Sequence, residues 1–150
     1  MNVMDYRDEA IIKALEKASR LSSRAIAREV SLPISTVHRK IKKMEQEGVI
    51  IGYKARINYE KTSWPIGAYI FINLEEHPPK GRKTSKENVI DILKSFEEVK
   101  ELAEVQGTSF NLIAKARFRS LKDLSTFIDK LRALDSVEEV STAIITEEVM

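Results

Sequence analysis

The sequence predicts an α+β chain in two parts, a helical first third followed by a mixed domain, and three observations predict it. Up to Gln46, apolar side chains recur at helical spacing in three segments separated by serine and proline. From Ile66 onward, runs rich in β-branched and aromatic residues alternate with helical patterns. Charge divides at the same place: residues 1–58 hold 12 lysines and arginines against 7 aspartates and glutamates, while residues 59–150 hold 13 against 16. A basic part joined to an acidic remainder suits one module that faces a polyanion and another with a different task.

In the first part, Asp5 to Ala18 carries Tyr6, Ala10, Ile11, Ala14, Leu15 and Ala18 on one side of a helix that Asp5 is placed to cap. Ser22 or Ser23 starts a second, shorter helix with Ala25, Ile26, Ala27 and Val30 apolar. Ser31-Leu32-Pro33 interrupts it, because proline disfavours the helical conformation in the residue before it and suits a helix's first turn. A third helix, Ile34 to Gln46, turns Val37, Ile41 and Met44 inward and sets Ser35, Arg39, Lys42 and Gln46 opposite them, flanked by Thr36, His38, Lys40 and Lys43. Hydroxyl and imidazole groups reach base edges in a major groove, and arginine and lysine contact phosphates or a guanine edge. Two helices joined by a tight turn, the second with this face, read as a helix-turn-helix whose partner is double-stranded DNA. Gly48 is expected to close the third helix in a left-handed conformation, and Val49 to Ile57 reads as a strand leading out.

The second part reads as a strand over Ile66–Leu74, a loop over Glu75–Ser85, a helix from Ser85 or Lys86, a strand over Val99–Val105, a turn at Gly107–Ser109 and a strand over Phe110–Phe118. A helix over Leu121–Leu134 and a strand over Val137–Glu147 complete it. Leu121, Leu124, Phe127, Ile128 and Leu131 are expected to face inward. The order βαββαβ is the ferredoxin-like arrangement, an antiparallel sheet with both helices on one face. The other face must meet water or a partner, and self-association is the economical answer. The expected boundaries are 1–52 for the DNA-binding module, 53–65 for an extended linker and 66–150 for the second domain.

Much chemistry is excluded. The chain has no cysteine, which removes disulfides, thiolate metal sites and cysteine nucleophiles. No zinc-protease, phosphate-loop or dinucleotide motif is present, so neither metal nor cofactor is expected. The carboxylate pairs Glu75-Glu76, Glu97-Glu98, Glu138-Glu139 and Glu147-Glu148 are adjacent residues whose side chains diverge, and they read as solvated surface. There are two histidines. His38 reads as surface or DNA-facing, His77 as a solvated loop residue, and no sequence constellation joins them to a catalytic site, so an enzyme is not expected. Trp64 before Pro65 reads as packing at the junction of the domains, with ligand stacking as the alternative. No leader pattern and no run of roughly 18 apolar residues is present, so a cytoplasmic protein without a membrane partner is expected.

Several stretches resemble the leucine-responsive regulator/AsnC family of prokaryotic transcription regulators. They are Asp5-Tyr6-Arg7-Asp8 with Ile11-Ile12, Ser23-Arg24-Ala25-Ile26-Ala27, Val37-His38-Arg39-Lys40-Ile41, and Met44 to Ile50 followed by Gly52-Tyr53. Val105-Gln106-Gly107, Asn111-Leu112-Ile113 and Val137 to Thr142 extend the resemblance over nearly the whole chain. It implies a winged three-helix module in which Ser23 and Arg24 join Ser35, Thr36, His38, Arg39, Lys42 and Lys43 on DNA. It also implies a second domain that senses amino acids, pairs into homodimers and assembles as octamers of four dimers. The effector is then expected at Gly107, Thr108, Ser109 and Asn111, with Thr142 of a facing subunit. The backbone freedom of Gly107 lets nearby N–H groups turn to a carboxylate, the hydroxyls add donors, and the Asn111 carbonyl offers an acceptor to an α-ammonium group. Ser31 stands where the family usually has glycine, Pro33 where it usually has a capping serine, and Asn111 where most members carry aspartate; Ser35 becomes the candidate cap. The other readings are an architectural DNA protein that needs no effector, and a haem-biosynthesis decarboxylase built on the same plan.

Overall fold

The computed structural model describes residues 4–76 and 85–149, and the chain divides into two compact units, Met1–Ile57 and Asn58–Met150. His77 and most of the loop expected around it lie outside the described residues.

In the first unit, α1 spans Tyr6–Lys17, α2 Ser23–Val30 and α3 Ile34–Gln46. Asp5 caps α1 by accepting the N–H groups of Arg7 and Asp8, while the Asp8 carboxylate accepts the Asp5 N–H in return. Ser22, not Ser23, caps α2, its hydroxyl oxygen 3.1 Å from the Ala25 nitrogen. That helix ends on Ser31 at φ 56°, ψ 45°, a left-handed conformation that costs a residue with a Cβ about 1–2 kcal/mol. α3 begins at Ile34 because the Pro33 carbonyl already accepts the Val37 N–H at 3.1 Å. Ser35 therefore lies inside the first turn and does not cap, and the cap position, Pro33, has no side-chain acceptor. At the other end Gly48, at φ 71°, lets Val49 N–H reach Met44 O at 2.9 Å and its own N–H reach Glu45 O at 3.2 Å, satisfying two terminal carbonyls.

Ile11, Ala14, Ile26, Ala27, Val37 and Met44 form the core of this unit. A polar clamp adds to it, since Lys40 Nζ sits 3.1 Å from Asp5 and 2.8 Å from Asp8. The capping carboxylates of α1 thus also hold α3, and Lys40, expected beside the outward face, is drawn inward. Residues 49–57, expected as a strand, have no regular secondary structure and no ladder partner among the described residues. A strand needs a neighbour for its N–H and C=O groups, and three helices offer none. Tyr53 still anchors the segment, its hydroxyl donating to Glu45 at 2.7 Å.

The second unit runs β1 Ile66–Leu74, α4 Lys86–Ser95, β2 Val99–Glu104, β3 Leu112–Phe118, α5 Leu121–Arg132 and β4 Val137–Ile145. The sheet is antiparallel in the order β2-β3-β1-β4. Ala68, Ile70 and Ile72 pair with Ala116, Ala114 and Leu112, so all six share one face. There they join Phe118, Val89 and Leu93 of α4, and Leu124, Phe127, Ile128 and Leu131 of α5. Leu121, expected to face inward, is 58% exposed. It is the first residue after the capping Ser120 and precedes the stretch of helix that meets the sheet.

Two outcomes are expected. Ser31→Gly should raise the unfolding free energy by about 0.5–1 kcal/mol, the relief of the left-handed strain being partly offset by the greater freedom of unfolded glycine. Urea titration reads this directly, and a loss of stability contradicts it. The Asp5 carboxyl is held down to about 2, first by the Asp8 N–H, with Lys40 and the Arg7 N–H adding to it. A group whose folded pKa lies below its unfolded value stabilises fully above the unfolded value, about 3.9, and stops doing so as pH falls through the folded one. The stability gap between the native chain and Asp5→Asn should therefore be constant near neutrality and close as pH falls from about 4 towards about 2. A gap unchanged across that window would show that charge at Asp5 is immaterial.

Candidate functional site

The outward side of α3 carries Ser35, His38, Arg39, Lys42 and Lys43, all exposed. Val37 and Met44 hold the opposite side in the core, and this fixes which residues point away. Thr36, at the edge, is half-buried. Lys43 lies 3.9 Å from Glu47, one turn on, at a solvent-exposed pair that costs little to separate. On α2, Arg24 is exposed and Ser23 half-buried. With Lys40 engaged by Asp5 and Asp8, the outward cations of α3 are Arg39, Lys42 and Lys43. The two carboxylates, Asp8 foremost, raise the Lys40 pKa above the ordinary lysine value, so it stays charged in the clamp. The face offers a hydroxyl near the helix start, an imidazole, a guanidinium and two ammonium groups, a set that contacts phosphates and base edges.

The second candidate site is the turn between β2 and β3. Gly107 adopts φ 92°, and an added Cβ there would meet nothing, so its backbone conformation and not space calls for glycine. Thr108 closes the turn on itself, its hydroxyl 3.1 Å from both the nitrogen and the oxygen of Phe110. Ser109 is exposed. Asn111 is built into the sheet: its N–H bonds Ile72 O at 2.9 Å and its Oδ1 accepts the Leu74 N–H at 2.6 Å. The β1–β4 register shifts between Asn73 and Leu74, and the Asn111 side chain serves the Leu74 N–H where the ladder is irregular. One lone pair of Oδ1 and the Nδ2 donors remain. Thr142 pairs with Ile70 on β4, on the helix side of the sheet, and is exposed. Since β1 separates β3 from β4, one chain does not bring Thr142 to the turn.

The uncovered sheet face carries Tyr69, Phe71, Ile113, Lys115, Ser141 and Ala143, with the Phe110 ring 5.6 Å from that of Phe71. One end of this face holds a group that sequence reasoning missed. Arg117 is 5% exposed, its guanidinium 4.5 Å from the Tyr59 ring centre and bonded to Glu148, which also pairs with Lys115 at 3.2 Å. Lys115, then Arg117, hold the Glu148 carboxyl below the usual carboxylate range. Glu148 was expected as solvated surface, but buried guanidinium charge demands a counter-ion. A Cβ on Gly67 would come 2.6 Å from Arg117 Nη1, so glycine makes room for the cation. A lone glycine within a strand of β-formers was the one available signal.

Among the described residues no helix is long and apolar enough to cross a membrane, and no group of three or more acidic or histidine side chains is placed to hold a metal ion. Residues 4–51 match the family described as winged helix-turn-helix DNA-binding, and residues 67–150 match the Lrp/AsnC ligand binding domain. An uncharacterized HTH-type transcriptional regulator of Pyrococcus abyssi is 30% identical over 147 residues, covering 98% of this chain and 95% of the relative. One from Pyrococcus furiosus is 32% identical over 144 residues, covering 96% and 92%. The fold is also that of a transcriptional regulator from Neisseria meningitidis solved in complex with L-Met, at a TM-score of 0.82 and 21% identity over 99% of this chain and 93% of that one. The chain is thus a transcriptional regulator and not an enzyme, a member of the Lrp/AsnC family with a winged helix-turn-helix for DNA and a ligand-binding domain behind it.

Proposed function

We propose that this regulator binds specific operators as a symmetric dimer, and that an amino acid or a close relative alters its assembly or its grip on DNA. The observation that carries the reading is the outward side of α3, where Ser35, His38, Arg39, Lys42 and Lys43 stand clear of the core while the remaining cation, Lys40, serves the fold. A single recognition helix reads one half-site, and a dimer presents two, about 34–36 Å apart per helical turn. The uncovered sheet face supplies the pairing surface, with Tyr69, Phe71, Phe110 and Ile113 as its apolar centre. Octamers of four such dimers are what the family resemblance implies.

The effector is placed at Gly107, Thr108, Ser109 and Asn111, completed by Thr142 of a facing subunit. With its Oδ1 already accepting one N–H, Asn111 contributes mainly Nδ2 donors, which favour the ligand's carboxylate over its ammonium group. The L-Met bound to the Neisseria meningitidis regulator supports an amino acid as the class. Ser23 and Arg24 of α2 are assigned to the DNA backbone.

Replacing Arg39 by Ala should cost about 1–3 kcal/mol on a selected operator and relax its sequence preference, if Arg39 reads a base. Lys43→Ala should weaken operator and random duplex alike and lower the dependence of affinity on salt. Fluorescence titrations against both duplexes measure these effects. Unchanged affinity in both variants, or a monomer by light scattering at micromolar concentration, rejects the reading.

A further inference from the structure

A cavity of about 260 Å³ opens in the second unit, at the end of the sheet opposite the Gly107 turn. Trp64, Phe118 and Phe127 make its apolar part, the two phenylalanine rings meeting edge to face at 5.2 Å. Helix α5 supplies one wall: Asp123, Phe127 and Lys130 recur at positions i, i+4 and i+7 and so share a side of the helix. Glu98, just before β2, and Arg119, just after β3, add to the rim. The rim therefore holds two carboxylates and two cations.

Among the described residues, none of Glu98, Asp123, Arg119 or Lys130 makes an ion pair. Arg119, Asp123 and Lys130 are exposed and Glu98 is half-buried, so opposite charges ring one small opening without closing on each other. A molecule bearing both charges can bridge them, with its apolar part among the three rings. Trp64 is oriented for this, because Arg119 and Lys100 sit 4.9 Å and 5.3 Å from its ring centre and fix the indole beside the opening.

We propose that this cavity is a second small-molecule site, for a zwitterionic amino acid with an apolar side chain. The carboxylate meets Arg119 and Lys130, the ammonium group meets Asp123 and Glu98, and the side chain rests on Trp64, Phe118 and Phe127. The site is separate from the turn and from Thr142, and it needs no partner subunit.

The chain has one tryptophan, so Trp64 emission reports on the site directly. The full-length protein is titrated with L-leucine, L-methionine and L-phenylalanine up to millimolar concentration, and with the methyl ester of L-phenylalanine. The expected result is a saturable change in emission with at least one amino acid and none with the ester, weakened about tenfold or more in both Arg119→Gln and Asp123→Asn. Calorimetry run in parallel keeps the two sites apart. Heat of binding without any change at Trp64 overturns this site while leaving the turn intact. An emission change lost in Thr142→Ala but kept in Arg119→Gln also overturns it, as does silence with all three amino acids.

Discussion

Helices α4 and α5 cover one face of a four-stranded sheet, and the alternation of side chains along each strand sends every second residue to the face they leave uncovered. The register makes this strict. Ala68, Ile70 and Ile72 lie opposite Ala116, Ala114 and Leu112 beneath the helices, and a slip of one residue would exchange the two faces. The same constraint leaves Tyr69, Phe71 and Ile113 without cover from the helices. At one end the chain covers itself, where Tyr59 from the domain's entry and Glu148 from its exit close over Arg117. Removing Glu148 leaves the buried Arg117 charge without its counter-ion, a loss that costs about 3–5 kcal/mol in fully buried pairs and less here, where the carboxylate is 41% exposed. The first and last segments of the domain are therefore tied to one strand by electrostatics, while Tyr69, Phe71 and Ile113 stay outside the cover of the helices.

One-sided burial organises the helical unit too. Val37 and Met44 bind α3 to the core, and Lys40 adds a polar clamp to the capping carboxylates of α1. Capping and helix–helix docking are thus served by the same two side chains, so the start of α1 and the orientation of α3 are coupled. The clamp also withdraws one cation from the outward side of α3, which keeps Arg39, Lys42 and Lys43 exposed.

Periodicity made most of this legible. The bounds of α3 and β1 follow from the residues alone, because Pro33 and Gly48 punctuate the helix and a run of β-formers defines the strand. The βαββαβ order follows for the same reason. What was not legible depended on partners distant in sequence. Residues 49–57 have the alternation of a strand but no neighbour to pair with in the described chain. Lys40 looked like a surface cation because nothing local points to Asp5 and Asp8, more than thirty residues earlier. Glu148 looked solvated because its pairing with Arg117 is a product of tertiary structure. Asn111 was singled out for a ligand, and the structure adds a second demand on it, the Leu74 N–H.

The two units divide the labour of a regulator: one carries the helix-turn-helix, with exposed cations on α3, and the other is a ligand-binding domain. Specific reading of DNA by two symmetry-related α3 helices is the claim on which the functional account stands. Hydroxyl-radical footprinting of the full chain on a fragment selected from genomic DNA tests it most directly. The account predicts paired protections on one side of the duplex, separated by about 10–10.5 base pairs or a multiple of it, and affinity about a thousandfold or more above that for random DNA at the same salt. Continuous protection along the fragment, with random DNA bound equally well, would contradict it and identify an architectural protein instead.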